Sequence, residues 1–137
     1  MGELCVKQTA YLFDTHALIF WNNQSFVSQE FLTFFDKKVD RGLVFVSTVT
    51  FWEIALLVQK GRLSIPDIHA WKNELLNKTN IRLLSLSPAE MIDSTQLPPY
   101  HKDPFDRLLI AQARQHTLTI VTRDREIQKY DVKQIWV

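Results

Sequence analysis

Four acidic residues, Asp14, Glu53, Asp106 and Asp124, occupy places in a 137-residue chain where carboxylates from distant segments can be gathered at one point. Asp14 ends the apolar run AYLFD from Ala10, which reads as a buried strand delivering a carboxylate at its C-terminal end. Asp124 follows a similar run, Leu118 to Val121, by way of Thr122-Arg123. Glu53 stands a helical turn or so beyond a strand at Leu43 to Val46, and Asp106 opens the helix that leads into the Leu118 strand. In an open parallel sheet the residues just past the C-terminal strand ends share one edge, where ligands bind. All four carboxylates are expected on that edge.

Such a cluster is costly by itself, because neighbouring carboxylates raise one another's pKa and resist joint ionisation. A hard divalent cation removes the conflict. Mg²⁺ or Mn²⁺ prefers oxygen ligands and keeps several waters, so carboxylates without cysteines or clustered histidines suit it better than zinc. Against a phosphate, such a cation neutralises developing charge and activates a water, which makes phosphodiester hydrolysis the natural reaction.

Each acid alone has a plainer explanation. Asp14 and Asp124 can cap the helices that follow them, Glu53 can complete a capping box with Thr50, and Asp106 can complement a helix dipole. The coincidence on one edge outweighs these single explanations. Asp103, one turn earlier than Asp106, suits a cap for the helix after Pro104 and ranks second as a metal residue. His16 and His101 adjoin acids and are candidates for holding phosphate or metal-bound water, with exposure or capping as the alternative. Thr15 and Thr122 offer hydroxyls to a phosphate, a water or the local backbone. Lys102, Arg107, Arg123 and Arg125 flank the acids and Lys60 and Arg62 follow Glu53, so that a basic collar or a set of solvated charges is expected. Of these, Thr15, His101, Arg107, Thr122 and Arg123 are the substrate-contact candidates.

The elements that must position these residues alternate. A helix follows Asp14 over Thr15 to Trp21; another runs from Ser28, its N-cap, to Val39. After the Leu43 strand a helix is expected within Ser47 to Lys60, opened by Thr50-Phe51-Trp52-Glu53 and closed at Gly61. A helix over Asp67 to Asn77, a strand over Ile81 to Leu86, a helix from Ser87-Pro88, a loop at Leu97 to Tyr100, the helix Phe105 to His116 and a final strand over Val132 to Val137 complete the chain. Strand and helix in alternation imply right-handed crossovers and a mainly parallel sheet covered on both faces, a three-layer α/β/α sandwich.

An apolar content of 46% in 137 residues supports one core, hence one domain. With 16 basic against 15 acidic residues the net charge is +1, so contact with a polyanion must be local. The single cysteine, Cys5, excludes an internal disulfide and a cysteine zinc site and fits a reducing cytoplasm. Apolar runs stop well short of the roughly twenty residues that span a bilayer, and Met1 to Ala10 lacks the apolar stretch of a secretory signal; no membrane attachment or export is expected. Most of the aromatics Phe13, Phe20, Trp21, Phe31, Phe34, Phe35, Phe51 and Trp52 should be core, with a helix pair left over for a dimer or partner groove.

The segments Leu12 to Trp21 (LFDTHALIFW), Ser47 to Leu63, Leu97 to Ala113 (LPPYHKDPFDRLLIAQA) and Leu118 to Asp124 (LTIVTRD) resemble the PIN-domain family, and within it the VapC-type toxins of toxin–antitoxin pairs. HKDPFDRLLIAQA followed by VTRD is the specific part. The resemblance implies a PIN fold over residues 10–137 after an N-terminal extension of residues 1–9. It also implies Mg²⁺- or Mn²⁺-dependent endoribonuclease activity, a homodimer, and a small antitoxin whose tail reaches the site. The family's acidic quartet falls on Asp14, Glu53, Asp106 and Asp124, the third of these being the second acid of DPFD. A haloacid-dehalogenase-like phosphatase would need an Asp where His16 stands, and a response-regulator receiver lacks its acidic pair and late Lys here. From a different class, a non-catalytic module of the same fold that binds RNA or a partner is the alternative.

Overall fold

The computed structural model describes residues 8–137, so Cys5 and most of the N-terminal extension lie outside the described residues. Strand β1 (Tyr11–Phe13) leads through Asp14 into α1 (Thr15–Asn23); α2 (Gln29–Asp40) precedes β2 (Val44–Ser47), α3 (Thr48–Gln59) and α4 (Ile68–Lys78). Then come β3 (Arg82–Leu84), α5 (Pro88–Thr95), α6 (Pro104–His116), β4 (Thr119–Val121), a 3-10 turn (Ile127–Lys129) and β5 (Gln134–Ile135). The strands form one sheet in the order β3-β2-β1-β4-β5. Every pairing is parallel, with Phe13 beside Val46 on one side and Val121 on the other, so the expectation of a mainly parallel sheet tightens to an all-parallel one.

Alternation along the strands builds the two outer layers. Tyr11, Phe13, Val44, Val46 and Val121 face one side, where Phe31, Phe35 and Val39 of α2 and Leu75 of α4 cover them. Leu12 and Ile120 face the other, against Leu109, Ile110 and Ala113 of α6. Short strands of continuous apolar residues are what a sheet buried on both faces requires. The three-layer sandwich read from the sequence is therefore the fold observed.

One expected helix start is corrected. Thr50 does not cap the third helix; the cap lies three residues earlier, with Ser47 Oγ accepting the Val49 N–H at 3.2 Å. Thr50 is fully buried inside the first turn, so Glu53 is not half of a capping box and its carboxylate is left for other partners. The Ser-x-x-Glu pattern closes instead at Ser87 and Glu90, where the serine hydroxyl accepts the Glu90 N–H and donates to its carboxylate.

Candidate active site

The order β3-β2-β1-β4-β5 changes direction between β1 and β4, and the crevice beyond the C-terminal ends of those two strands is where such sheets bind ligands. A cavity of about 530 Å³ opens there, lined by Asp14, Glu53, Asp103, Asp106 and Asp124 together with Thr15, His16, Phe20, His101, Arg123 and Trp136. All four acids singled out in the sequence, and the second-rank Asp103, meet in one space.

Each carboxylate is held by a separate local device. Asp14 caps α1, accepting the Ala17 N–H at 2.8 Å, while lining the cavity, so its capping and site readings are both true. Glu53 accepts a hydrogen bond from the Thr15 hydroxyl, tying α3 to α1. Asp103 caps α6 through the Phe105 N–H at 2.9 Å, which places Asp106 in the first turn of that helix. Asp124 accepts the Glu126 N–H at 2.8 Å through Oδ1 and turns Oδ2 to His101.

His101, a substrate-contact candidate from the sequence, stands between two of the acids. Its Nε2 lies 2.8 Å from Asp124 Oδ2 and 3.0 Å from Asp106 Oδ2, in a largely buried position. Its Nδ1 accepts the Asp103 backbone N–H at 3.1 Å. An acceptor nitrogen carries no proton, so the imidazole proton sits on Nε2 and faces the carboxylates. His101 is thus a donor to the acidic cluster, and the exposed-histidine reading is overturned.

Burial and mutual repulsion dominate the electrostatics. Burial lifts Asp14 above the ordinary carboxylate range against hydrogen bonds from Thr122 and Ala17, and burial also lifts Glu53 against the Thr15 hydroxyl. Asp106 is pushed up to about 8, first by burial and then by the charges of Asp103, Asp14, Glu53 and Asp124. Burial would raise Asp124 too, but hydrogen bonds from His101 and the Glu126 N–H hold it below the usual value. One N–H cannot fully serve two carboxylates, and the shorter contact goes to Asp124, which leaves Asp106 as the acid that keeps a proton.

That proton stands where a cation would be welcome. The donor set is rich in carboxylate oxygen, which suits a hard divalent ion, and a bound dication would reverse the repulsion that raises Asp106. Nε2 of His101 and one oxygen each of Asp106 and Asp124 lie within 4.8 Å of one another. The Asp103 N–H on Nδ1 makes the imidazole a hydrogen-bond partner of the acids rather than a lone-pair ligand in this arrangement.

The remaining candidates divide. Thr15 and Arg123 line the cavity. Thr122 is buried, accepts the Asp124 N–H at 3.0 Å and donates to Asp14, so its hydroxyl orients acids rather than facing a substrate. Arg107 was expected at the substrate and is instead consumed by the preceding loop: its guanidinium donates to the carbonyls of Ser94, Leu97, Pro98 and His101 and to Tyr130 Oη, at 2.8 to 3.3 Å. Lys60, Arg62, Lys102 and Arg125 are exposed and off the cavity wall, so the basic collar reduces to Arg123. Sequence reading missed Phe20 and Trp136 as lining residues; the C-terminal tryptophan reaches the site only because β5 pairs beside β4.

The all-parallel α/β/α sandwich with a carboxylate cluster at its switch point places the chain among α/β proteins with an acidic site beyond the strand ends. The PIN domain family profile matches residues 11–133, and the chain belongs to that family. Among curated relatives, Ribonuclease VapC22 of Mycobacterium tuberculosis is 26% identical over 129 residues, covering 89% of this chain and 92% of that protein. Among solved structures, FitAcB from Neisseria gonorrhoeae superposes with a TM-score of 0.67 at 22% identity, over 91% of this chain and 96% of that one. VapBC2 from Rickettsia felis, bound to a DNA fragment from its promoter, gives 0.67 at 13% identity, over 93% and 98%. These neighbours share the fold read from the sequence.

Proposed function

We propose that this chain is a divalent-metal-dependent endoribonuclease that hydrolyses RNA phosphodiester bonds and acts as the toxin of a toxin–antitoxin pair. The observation that carries this reading is the meeting of Asp14, Glu53, Asp106 and Asp124 in one cavity, with Asp106 unable to ionise easily until a cation joins it. Membership of the PIN domain family and likeness to a protein named as a ribonuclease support it.

Asp14, Asp106 and Asp124, with Glu53, are the residues that would hold Mg²⁺ or Mn²⁺, with Asp103 as a further acid at the rim. The ion supplies charge neutralisation at the phosphate and activation of water. The chain's own groups do the rest. Thr15 orients Glu53 and Thr122 orients Asp14. His101 keeps Asp124 ionised and aimed inward. Arg123 offers the cation on the cavity wall that draws in a phosphate against an otherwise acidic lining.

The partners follow from the same reading. A solved neighbour from Klebsiella pneumoniae is named as a toxin–antitoxin complex, which supports a small cognate antitoxin for this chain. Trp52, Leu83, Met91 and Ile92 are exposed large apolar side chains, and we assign such surface to a homodimer contact and to the antitoxin. Among the described residues no helix is long and apolar enough to cross a membrane; we place the activity in the cytoplasm, where RNA is available. The test is incubation of purified, antitoxin-free protein with end-labelled RNA and with DNA of the same sequence, under Mn²⁺, Mg²⁺ or EDTA, beside Asp106→Asn. Cutting of RNA that EDTA and the substitution both abolish is the expected result; RNA bound but never cut would favour the binding-module reading.

A further inference from the structure

The same cavity carries an aromatic array around Arg123, and the metal chemistry at the acids does not require those rings. The Arg123 guanidinium lies between two rings, 5.0 Å from the Phe20 centroid and 4.8 Å from that of Trp136. Phe20 in turn packs on His16 at 5.7 Å and on Phe26 at 5.4 Å. Phe20, Trp136, Arg123 and His16 share the cavity with the carboxylates. Phe26 extends the array outward and leaves 77% of its surface in solvent.

Phe26 is also held in an unfavourable backbone conformation, with φ at +59°, in the left-handed region that a bulky side chain rarely adopts. A polar residue or glycine would fit this turn better and would hide no apolar surface by its loss. Strain and an exposed ring at one position, beside a catalytic cavity, are the marks of a side chain placed for a ligand.

We propose that Phe26 and Phe20, with Arg123 beside them, form a stacking platform for an unpaired nucleobase next to the scissile phosphate. This rests on the nuclease reading for its substrate class, while its residues lie outside the acidic cluster. Three features select this occupant. A strand whose phosphate reaches the acids must pass the aromatic wall of the same cavity. Arg123 has no carboxylate partner among the described residues, and beyond one long hydrogen bond from Nη1 to the Phe26 carbonyl, at 3.5 Å, its donors are left to a phosphate oxygen. Ring faces accept any base, but only one that is splayed out of a helix, so single strands, loops and bulges can use the platform and a continuous duplex cannot.

The experiment measures binding of a short single-stranded RNA, and of the same sequence as a perfect duplex, by fluorescence anisotropy to the full chain carrying Asp106→Asn. Phe26→Gly and Phe26→Trp are made in that background, and Mn²⁺ binding to Phe26→Gly alone is measured by calorimetry. Phe26→Gly relieves the positive φ, so the fold is preserved while the ring is removed. Single-strand affinity should fall roughly 5- to 100-fold, the loss of one base–aromatic stack. Phe26→Trp should retain it, and duplex and Mn²⁺ binding should not move. Unchanged single-strand affinity in Phe26→Gly, or an equal loss for duplex, would overturn the platform and leave the exposed ring to a protein partner. If metal-dependent cleavage fails while the Phe26-dependent binding persists, the nuclease reading falls and the platform stands.

Discussion

A carboxylate buried among carboxylates depends on what its neighbours supply, and in this site each acid is supplied differently. Asp106, with no good donor of its own, is the one raised to about 8 from an ordinary 3.8. Between those values the folded chain holds a proton that the unfolded chain has lost, so stability falls as pH rises from about 4 to about 8. Asp14 and Glu53 are raised as well and add to the same slope, while the lowered Asp124 acts only in the more acid range. Thermal melts of the metal-free protein should therefore show a lower Tm at pH 8 than at pH 5, and Asp106→Asn should flatten the difference. His101→Ala removes the donor between Asp124 and Asp106; the cost in Mn²⁺ affinity should be roughly 10- to 100-fold, as for other partners of metal-holding groups, read by calorimetry. Asp14, Asp106 and Asp124 were legible in the sequence because each follows a strand or opens a helix, and Glu53 because it lies little more than a turn into the helix that β2 feeds. His101 was a candidate for holding phosphate, but its bond to Asp124 was not legible, because α6 and β4 lie between the two residues and only the fold brings them together.

The loop that carries His101, between α5 and α6, is shaped by two side chains that follow it in the chain. Arg107 of α6 gathers the carbonyls of Ser94, Leu97, Pro98 and His101, and Tyr130 Oη accepts the His101 N–H at 2.8 Å while donating to the Pro98 carbonyl. Five acceptors in a fixed fork match guanidinium geometry and not a point charge. Arg107→Ala should cost about 2–3 kcal/mol in chemical denaturation, since hydrogen bonds to a charged donor are lost and carbonyls are stranded. Arg107→Lys should recover little of it. Cleavage should suffer alongside, because His101 is carried by the same loop. Sequence reading took Arg107 for a surface or substrate charge because the acceptors are backbone atoms, which leave no trace in residue types. The strands were easier: Tyr11–Phe13, Val44–Ser47 and Thr119–Val121 are apolar on both faces, as a covered parallel sheet demands. The misplaced start of α3 has a plain cause. Thr50 and Glu53 have capping-box spacing, but Ser47 sits at the end of β2 and ends the strand and caps the helix at once.

The sheet order brings the site together, since paired residues of β1 and β4 stand 108 apart in sequence yet adjacent in space, as Leu12 beside Ile120 shows. The order itself was not readable, because alternating strands and helices are compatible with several sequences of neighbours; the sandwich was, because both strand faces had to be covered. The core and the site are joined at Phe13, fully buried immediately before Asp14, so Phe13→Ala should destabilise the whole fold by about 3–5 kcal/mol and loosen the site with it. A divalent ion that binds only the assembled quartet must stabilise the native chain, by about 2.7 kcal/mol at a hundredfold excess over its dissociation constant. The most direct test of that assembly is Mn²⁺ binding, followed by calorimetry, to the wild-type chain and to Asp14→Asn, Glu53→Gln, Asp106→Asn and Asp124→Asn, each confirmed folded. The wild type should bind with release of a proton at pH 6 to 7, and every single substitution, though the four positions come from four separate stretches of sequence, should weaken binding. Wild-type affinity in two or more of the variants, or no Mn²⁺ binding by the folded wild type, would contradict a single metal centre built from these acids.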